Sequence, residues 1–173
     1  MSRLTTIALF SLLTLALAAG ALAASHTRIK GTPGDDTLTG TPSADLIRAL
    51  GGNDTIDALG GNDRVFAGDG DDTVVGGDGN DVIRGRKGND TIDGGAGNDV
   101  IWAGSGQDSV QGGDGDDVIH VLAHDSLADT VDCGPGNDTV WVNASEKNDT
   151  YTNCETIKTV TVTKATADAL DNG

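Results

Sequence analysis

Apolar residues recur at every ninth position along most of the chain, within a background of glycine and aspartate. From Gly31 the sequence divides into ten contiguous nine-residue units that end at His120, and after a three-residue insert three more units follow at 124–132, 133–141 and 144–152. The eighth position of all thirteen units is apolar or aromatic: Leu38, Ile47, Ile56, Val65, Val74, Ile83, Ile92, Ile101, Val110, Ile119, Val131, Val140 and Tyr151. This regularity predicts a repeat architecture.

The polar positions of the units are as regular as the apolar ones. Position six is aspartate in all thirteen units, and position four is glycine in ten of them. Glycine permits backbone conformations that bring carbonyl oxygens together, and aspartate is a short carboxylate that binds close to the main chain. An oxygen-only ligand set without thiol or imidazole suits Ca²⁺, which takes six to eight oxygens.

The pattern G-G-x-G-x-D-x-U-x, where U is a large apolar residue, resembles the RTX family of calcium-binding nonapeptide repeats. The best matches begin at Gly76, Gly94 and Gly112, and the resemblance covers nearly all of residues 31–152. It implies an all-β fold, a parallel β-roll in which two units form one coil of 18 residues. Six residues of each unit would form a turn and three a short strand. We therefore predict a two-sheet solenoid that calcium stabilises.

Elementary energetics point the same way. In a three-residue strand only the eighth side chain faces inward, so each unit buries one aliphatic side chain. That burial stabilises less than the ordering of nine residues costs. Carboxylates stacked about 4.8 Å apart also repel one another unless a cation lies between them. We expect folding and calcium binding to be a single event.

Calcium sites are predicted between turns on the same side of the roll, that is, between units n and n+2. Thirteen units allow at most eleven sites, and we expect six to ten Ca²⁺ ions. Units three to ten match best, whereas unit two lacks the glycine at position four. The predicted carboxylate ligands are Asp36, Asp54, Asp63, Asp72, Asp81, Asp90, Asp99, Asp108, Asp117 and Asp138. The predicted turn backbone lies at Gly52, Gly61, Gly70, Gly79, Gly88, Gly97, Gly106 and Gly115.

The two cysteines fall on turns n and n+2 of the predicted roll, at the first and second positions of their units. Cys133 opens unit twelve, and Cys154 lies in what would be unit fourteen, so the two residues stack at about one strand spacing. That separation suits a disulfide, whereas a metal or redox pair would require a different spacing.

The chain ends predict export and capping. Residues 1–23 carry one charge, Arg3, then an apolar run and an A-x-A cleavage site, which together are typical of a secretory signal peptide. We expect a secreted, extracellular protein. The predicted organisation is a signal peptide at 1–23, one β-roll domain at 24–164 with repeats at 31–152 and caps at 24–30 and 153–164, and a disordered tail at 165–173.

Charge and motif content narrow the functional classes. The formal net charge is −16, with 27 acidic residues against 11 basic ones, which argues against nucleic-acid binding. The sequence contains neither H-E-x-x-H nor G-x-S-x-G, and its three histidines fit no catalytic triad order, so we predict no enzymatic activity. We expect a monomer that does not insert into a membrane once the signal is removed.

The outward positions of the odd and even units differ. Odd units place a row of threonines at position seven, a feature that suggests an ice-binding surface. Their ninth positions do not form a matching row, which argues against that function. Even units place an aromatic and basic row at position nine: Arg48, Phe66, Arg84, Trp102, His120 and Trp141. This position-nine row could make the protein a calcium-dependent adhesive module that binds carbohydrate or a protein partner. Packing of these side chains along an otherwise bare sheet is the alternative.

Overall fold

The nine-residue units become strands that alternate between two parallel sheets. The computed structural model describes residues 26–163. The strands are β1 (Thr27–Lys30), β2 (Thr37–Thr41), β3 (Asp45–Gly51), β4 (Thr55–Leu59), β5 (Arg64–Asp69), β6 (Thr73–Asp78), β7 (Val82–Lys87), β8 (Thr91–Ala96), β9 (Val100–Ser105), β10 (Ser109–Asp114), β11 (Val118–Val121), β12 (Thr130–Asp132), β13 (Thr139–Asn143), β14 (Thr150–Thr152) and β15 (Thr156–Val160).

Strand pairing follows the parity of the units. The odd-numbered strands form an eight-stranded parallel sheet in the order β1-β3-β5-β7-β9-β11-β13-β15, and the even-numbered strands form a seven-stranded sheet from β2 to β14. Equivalent positions lie directly opposite one another, as in the pairing of Ile83 with Ile101 and of Val74 with Ile92. Each coil therefore advances the chain by two units, and the predicted parallel β-roll is confirmed.

The core is thicker than the sequence pattern suggested. Position eight is buried throughout the central units, as predicted, with Ile83 and Ile101 both fully inaccessible to solvent. Most central strands, however, are six residues long and continue into the next unit, so the prediction of three-residue strands was wrong. Because alternate residues of a strand face the same side, position one of the following unit also faces inward. Ala67 and Ala103 occupy such positions and are fully buried.

In units three to ten, position two has a left-handed backbone conformation. Glycine meets this requirement at Gly77 and Gly95, whose φ angles are 100° and 104°. Three units place a side chain there instead: Leu50, Leu59 and Arg86 have φ angles of 92°, 71° and 91°. A residue with a Cβ is strained in this region, so the roll is held in these three turns against a local backbone preference.

The predicted signal peptide and C-terminal tail lie outside the described residues. Within residues 26–163, no helix has the length and apolar character needed to cross a membrane.

Candidate metal centre

The position-six aspartates form two continuous hydrogen-bonded ladders, one along each edge of the roll. In each step the backbone N–H of one aspartate donates to Oδ1 of the aspartate two units later, as when Asp81 N donates to Asp99 Oδ1 at 2.8 Å. Eleven such bonds, between 2.7 and 3.0 Å long, connect successive aspartates from Asp36 to Asp149 and from Asp45 to Asp138. One oxygen of each carboxylate therefore fixes the spacing of neighbouring coils.

The second oxygen of these carboxylates is buried without a hydrogen-bond partner. Within residues 26–163 this holds for Oδ2 of Asp54, Asp63, Asp72, Asp81, Asp99, Asp117 and Asp138. The residues themselves are almost inaccessible, with 1% exposure at Asp99 and none at Asp138. A buried carboxylate oxygen without a partner is costly, because burial removes its water and nothing replaces that water. A cation bound beside these oxygen atoms would supply the missing partner.

Burial opposes ionisation of the aspartates as long as no cation is bound. It raises the pKa of the Asp99 carboxyl to about 7 and that of Asp129 to about 8, and the neighbouring carboxylates of the same ladder add to both shifts. The same two causes raise the pKa of Asp63, Asp72 and Asp117 to about 6. A hydrogen bond from the backbone lowers each of these values in part. Ionisation of the ladder carboxylates in the folded chain is therefore unfavourable without a cation. A bound divalent cation would offset both the cost of burying the charges and the repulsion between them.

In the units that begin with glycine, this glycine keeps open the space beside the unpartnered oxygen. A Cβ built on Gly94 would lie 2.5 Å from Asp99 Oδ2 and would overlap the carbonyl oxygen of Gly112 in the next coil. The same arrangement recurs at Gly76, where the two atoms are Asp81 Oδ2 and the carbonyl oxygen of Gly94. A carboxylate oxygen and a main-chain carbonyl from successive coils thus converge beside each of these glycines.

The donor set fits Ca²⁺. Within residues 26–163, no cluster of three or more histidine, cysteine, aspartate or glutamate side chains could hold a metal ion by itself. Each site would therefore combine a carboxylate oxygen with main-chain carbonyl oxygens of the turns. Hard oxygen ligands in flexible, glycine-rich turns suit Ca²⁺ better than the smaller Mg²⁺, which requires near-ideal octahedral geometry.

The first two units differ from the central ones. Thr32 N donates to Asp36 Oδ2 at 2.5 Å, and Thr41 N donates to Asp45 Oδ2 at 2.6 Å. The Oδ2 atom of each of these two carboxylates therefore has a hydrogen-bond partner within the protein, unlike that of the central units. Asp36 is in the predicted ligand set, and its surroundings set it apart from the other nine aspartates of that set.

Position five forms a further ladder that the sequence analysis did not identify. The side-chain oxygen of one unit accepts the backbone N–H of position five two units later, as when Asn98 N donates to Asn80 Oδ1 at 2.8 Å. Eight such bonds, 2.7 to 3.1 Å long, run along the two edges. The signal was present in the sequence, because eleven of the thirteen fifth positions are Asn, Asp or Gln. Each turn is thus tied to its neighbour by two side-chain oxygens.

The C-terminal end closes the roll with a different carboxylate and a disulfide. Asp138 N donates to Glu155 Oε2 at 2.9 Å, so a glutamate completes the ladder where the repeat pattern has ended. The predicted disulfide is present: Cys133 and Cys154 are joined, and their Cα atoms lie 5.2 Å apart. Cys133 is fully buried at position one of its unit. The covalent link therefore joins the last coil to the core.

Loss of this disulfide is expected to destabilise the roll. The double variant Cys133→Ala/Cys154→Ala opens a loop of 21 residues, and the chain-entropy model gives a loss of about 3 kcal/mol in the free energy of unfolding. Alanine is the appropriate replacement, since Ala67 and Ala103 occupy the position that Cys133 holds. Urea unfolding at one saturating calcium concentration measures the difference. Two free thiols in the denatured, unreduced wild-type protein would contradict the disulfide.

The position-nine row of the eight-stranded sheet is a continuous stack. The guanidinium Cζ of Arg84 lies 4.8 Å from the ring centre of Trp102, the rings of Trp102 and His120 are parallel at 4.9 Å, and those of His120 and Trp141 are stacked at 6.2 Å. Lys158 Nζ lies 4.8 Å from the ring centre of Trp141 and extends the row. At the other end, Phe66 lies between Arg48 and Arg84 at 5.2 and 5.7 Å. Both faces of each ring in the interior of the row are therefore covered by neighbours.

Comparison with known proteins agrees with the geometry. A search of curated proteins finds no significant match. The family described as RTX calcium-binding nonapeptide repeat (4 copies) matches residues 30–65, 66–101 and 93–123, together more than half of the 173 residues. These segments contain the central part of the aspartate ladders and the position-one glycines Gly76 and Gly94. Nonapeptide repeats of this family bind calcium ions. The chain belongs to the RTX family of calcium-binding nonapeptide-repeat proteins.

Proposed function

We propose that this chain is a secreted protein whose turns bind six to ten Ca²⁺ ions and which folds into its β-roll as it binds them. The observation that carries the proposal is the row of buried Oδ2 atoms without partners along both edges of the roll. At Asp81, Asp99 and Asp117 this atom lies beside the glycine at position one of the unit, where a carbonyl oxygen of the next coil also projects. Calcium would supply the positive charge that the two ladders lack.

The ligand roles follow from position in the unit. One carboxylate oxygen of each ladder aspartate holds the neighbouring coil, and the other would bind the ion. The proposed carboxylate ligands are those predicted from the sequence, with the central members Asp81 and Asp99 showing the arrangement most clearly. Carbonyl oxygens of the glycine-rich turns would complete the coordination. Folding would then take place outside the cell, where calcium is abundant, and the monomer would be the binding unit.

We assign no catalytic role to the chain. The aspartates that might suggest acid–base chemistry are engaged in the ladders by one oxygen, and the other oxygen faces the proposed ion sites. Their function in this proposal is ligation.

A calcium titration tests the proposal. Isothermal titration calorimetry of the chelator-stripped chain at pH 7.5 is expected to give several Ca²⁺ per chain, and magnesium at the same concentration should not reproduce the heat. Asp99→Asn should lower the number of bound ions by at least one, because the amide retains a hydrogen-bond acceptor but loses the charge. The matched control is Asp114→Asn, since Asp114 is exposed and lies at position three of its turn. Unchanged stoichiometry in Asp99→Asn would contradict the assigned ligand role.

An adhesive role is the second candidate. Its support is the composition of the eight-stranded sheet, whose outward side chains form the stacked position-nine row. Because the interior ring faces of that row are covered by neighbours, stacking of sugar rings on them would require the row to open. Recognition by charge requires no such rearrangement.

A further inference from the structure

The outward surface of the eight-stranded sheet has the opposite charge from the rest of the chain. At the outward positions equivalent to seven and nine of the units, its strands carry six cations and no carboxylate; the cations are Arg28, Lys30, Arg48, Arg64, Arg84 and Lys158. We call this surface the basic face. The outward positions of the seven-stranded sheet carry no cation and include Asp57, Asp93 and Asp132. In a chain with a net charge of −16, this segregation leaves one positive surface.

The cations of the basic face are concentrated toward its N-terminal end, where the surface is concave. A groove of about 730 Å³ runs across β1, β3, β5 and β7, and Arg28 and Arg64 line it. The two residues belong to one row across the sheet, in which Leu46 lies between them, so their Cα atoms are about 10 Å apart. The amide side chains of Asn62 and Asn80 line the same groove.

These cations are available for an external partner. Arg28, Arg48 and Arg64 are exposed, and none of them forms a salt bridge with a carboxylate within residues 26–163. By contrast, Lys87 at the end of β7 pairs with Asp69 at 3.2 Å. Exposed guanidinium groups that are not engaged in a salt bridge bind sulfate and carboxylate groups through paired hydrogen bonds.

We propose that the N-terminal half of the basic face binds a linear anionic glycan, sulfated or carboxylated, whose charged groups recur along an extended chain. Charge complementarity selects a polyanion, and the separation of about 10 Å between Arg28 and Arg64 along the solenoid suits an extended polymer. A glycan is favoured over single-stranded nucleic acid because base recognition requires free aromatic faces, and the interior rings of the position-nine row are covered.

This inference rests on the proposed calcium function. Asp45 and Asp63 also line the groove, and both belong to an aspartate ladder. Without cations these ladders would repel a polyanion, whereas about eight Ca²⁺ ions would offset the net charge of −16. Glycan binding should therefore require calcium.

Binding of dextran sulfate, with neutral dextran of the same length as the matched probe, tests the inference. At saturating calcium the wild-type chain is expected to bind dextran sulfate with an affinity that falls as salt rises, and not to bind dextran. Arg28→Gln/Arg64→Gln should weaken binding about tenfold, because two exposed ionic contacts are lost. Lys30→Gln/Arg48→Gln, on the adjacent row of the same strands, should give a loss of similar size.

The control variant has the same change in net charge on the opposite sheet. Thr55→Glu/Thr91→Glu lowers the charge by two, as the arginine pair does, and should leave the affinity within twofold of wild type. Circular dichroism and the calcium titration verify that each variant folds. Equal weakening by the control, tight binding without calcium, or equally tight binding of a poly(dT) oligonucleotide would overturn the inference. A chain that folds with calcium but ignores dextran sulfate would overturn it while leaving the calcium function intact.

Discussion

Chelation of calcium is expected to abolish the fold of this chain. With excess EGTA at pH 7.5, the far-ultraviolet circular dichroism should change from a β-sheet spectrum to that of an unfolded chain, and the hydrodynamic radius should increase. Renewed addition of calcium should restore both signals. The transition should be steep in calcium concentration, because several ions bind as the chain orders.

The physical reason is the balance between the core and the ladders. Each unit buries one large aliphatic side chain and one small residue, as Ile101 and Ala103 show. Against this stand the ordering of nine residues and a line of buried carboxylates, whose pKa values rise because burial disfavours their charge. The carboxylates that ionise in the metal-free roll would stack negative charges at one strand spacing.

The control for this experiment is magnesium. Equal concentrations of Mg²⁺ should leave the chain unfolded, since its coordination demands differ from those of Ca²⁺. A compact, β-rich chain after exhaustive chelation would show that hydrophobic burial and hydrogen bonding suffice, and the coupling of binding and folding would be wrong.

Gly97→Ala is expected to be one of the most damaging single substitutions in the chain. Gly97 lies at position four with a φ of 134°, and a Cβ there would overlap the carbonyl oxygen of Gly79. The overlap involves main chain on both sides, so it cannot be relieved by a side-chain rotation. We expect a loss of at least about 3 kcal/mol in the free energy of unfolding and a clear rise in the calcium concentration at half folding.

Gly34→Ala is the matched control. Gly34 also lies at position four, but a Cβ built on it meets nothing within 4 Å. This substitution should change the free energy of unfolding by no more than about 0.5 kcal/mol. Urea unfolding at saturating calcium and a calcium titration followed by circular dichroism measure both variants. If the two substitutions cost the same, close approach of the coils is not what position four requires.

The sequence predicted the coil, the parity of the sheets and the inward position of residues such as Ile83 and Ile101. It could do so because a fixed period of nine leaves few alternatives for where each side chain points. The proximity of Cys133 and Cys154 followed from the same period, even though the repeats are irregular there. The position-six aspartates were identified from their strict recurrence.

Other features depend on interactions that the period does not reveal. The prediction of three-residue strands stopped at position nine, but the sheet hydrogen bonds continue into positions one to three and bury Ala67 and Ala103. The fifth-position ladder depends on the distance between stacked turns. Composition alone therefore does not distinguish Asn80 and Asn98 from ordinary turn residues. The two oxygens of Asp99 also differ, since Oδ1 accepts a hydrogen bond from Asp81 N and Oδ2 has no partner. This difference depends on how the coils stack.

The aspartate ladders have a direction, which makes the two ends of the roll unequal. Every donor N–H reaches forward to a carboxylate further along the chain, and the last step, from Asp138, reaches Glu155. Within the position-six ladders, removal of the first coil would free only carboxylate oxygens, which water can hydrate. Removal of the last coil would instead leave a main-chain amide without its acceptor, and the disulfide would go with it. During synthesis or export from the N-terminus, each ladder step would therefore stay incomplete until two further units had emerged. The ordered region would always end about two units behind the most recently emerged residue.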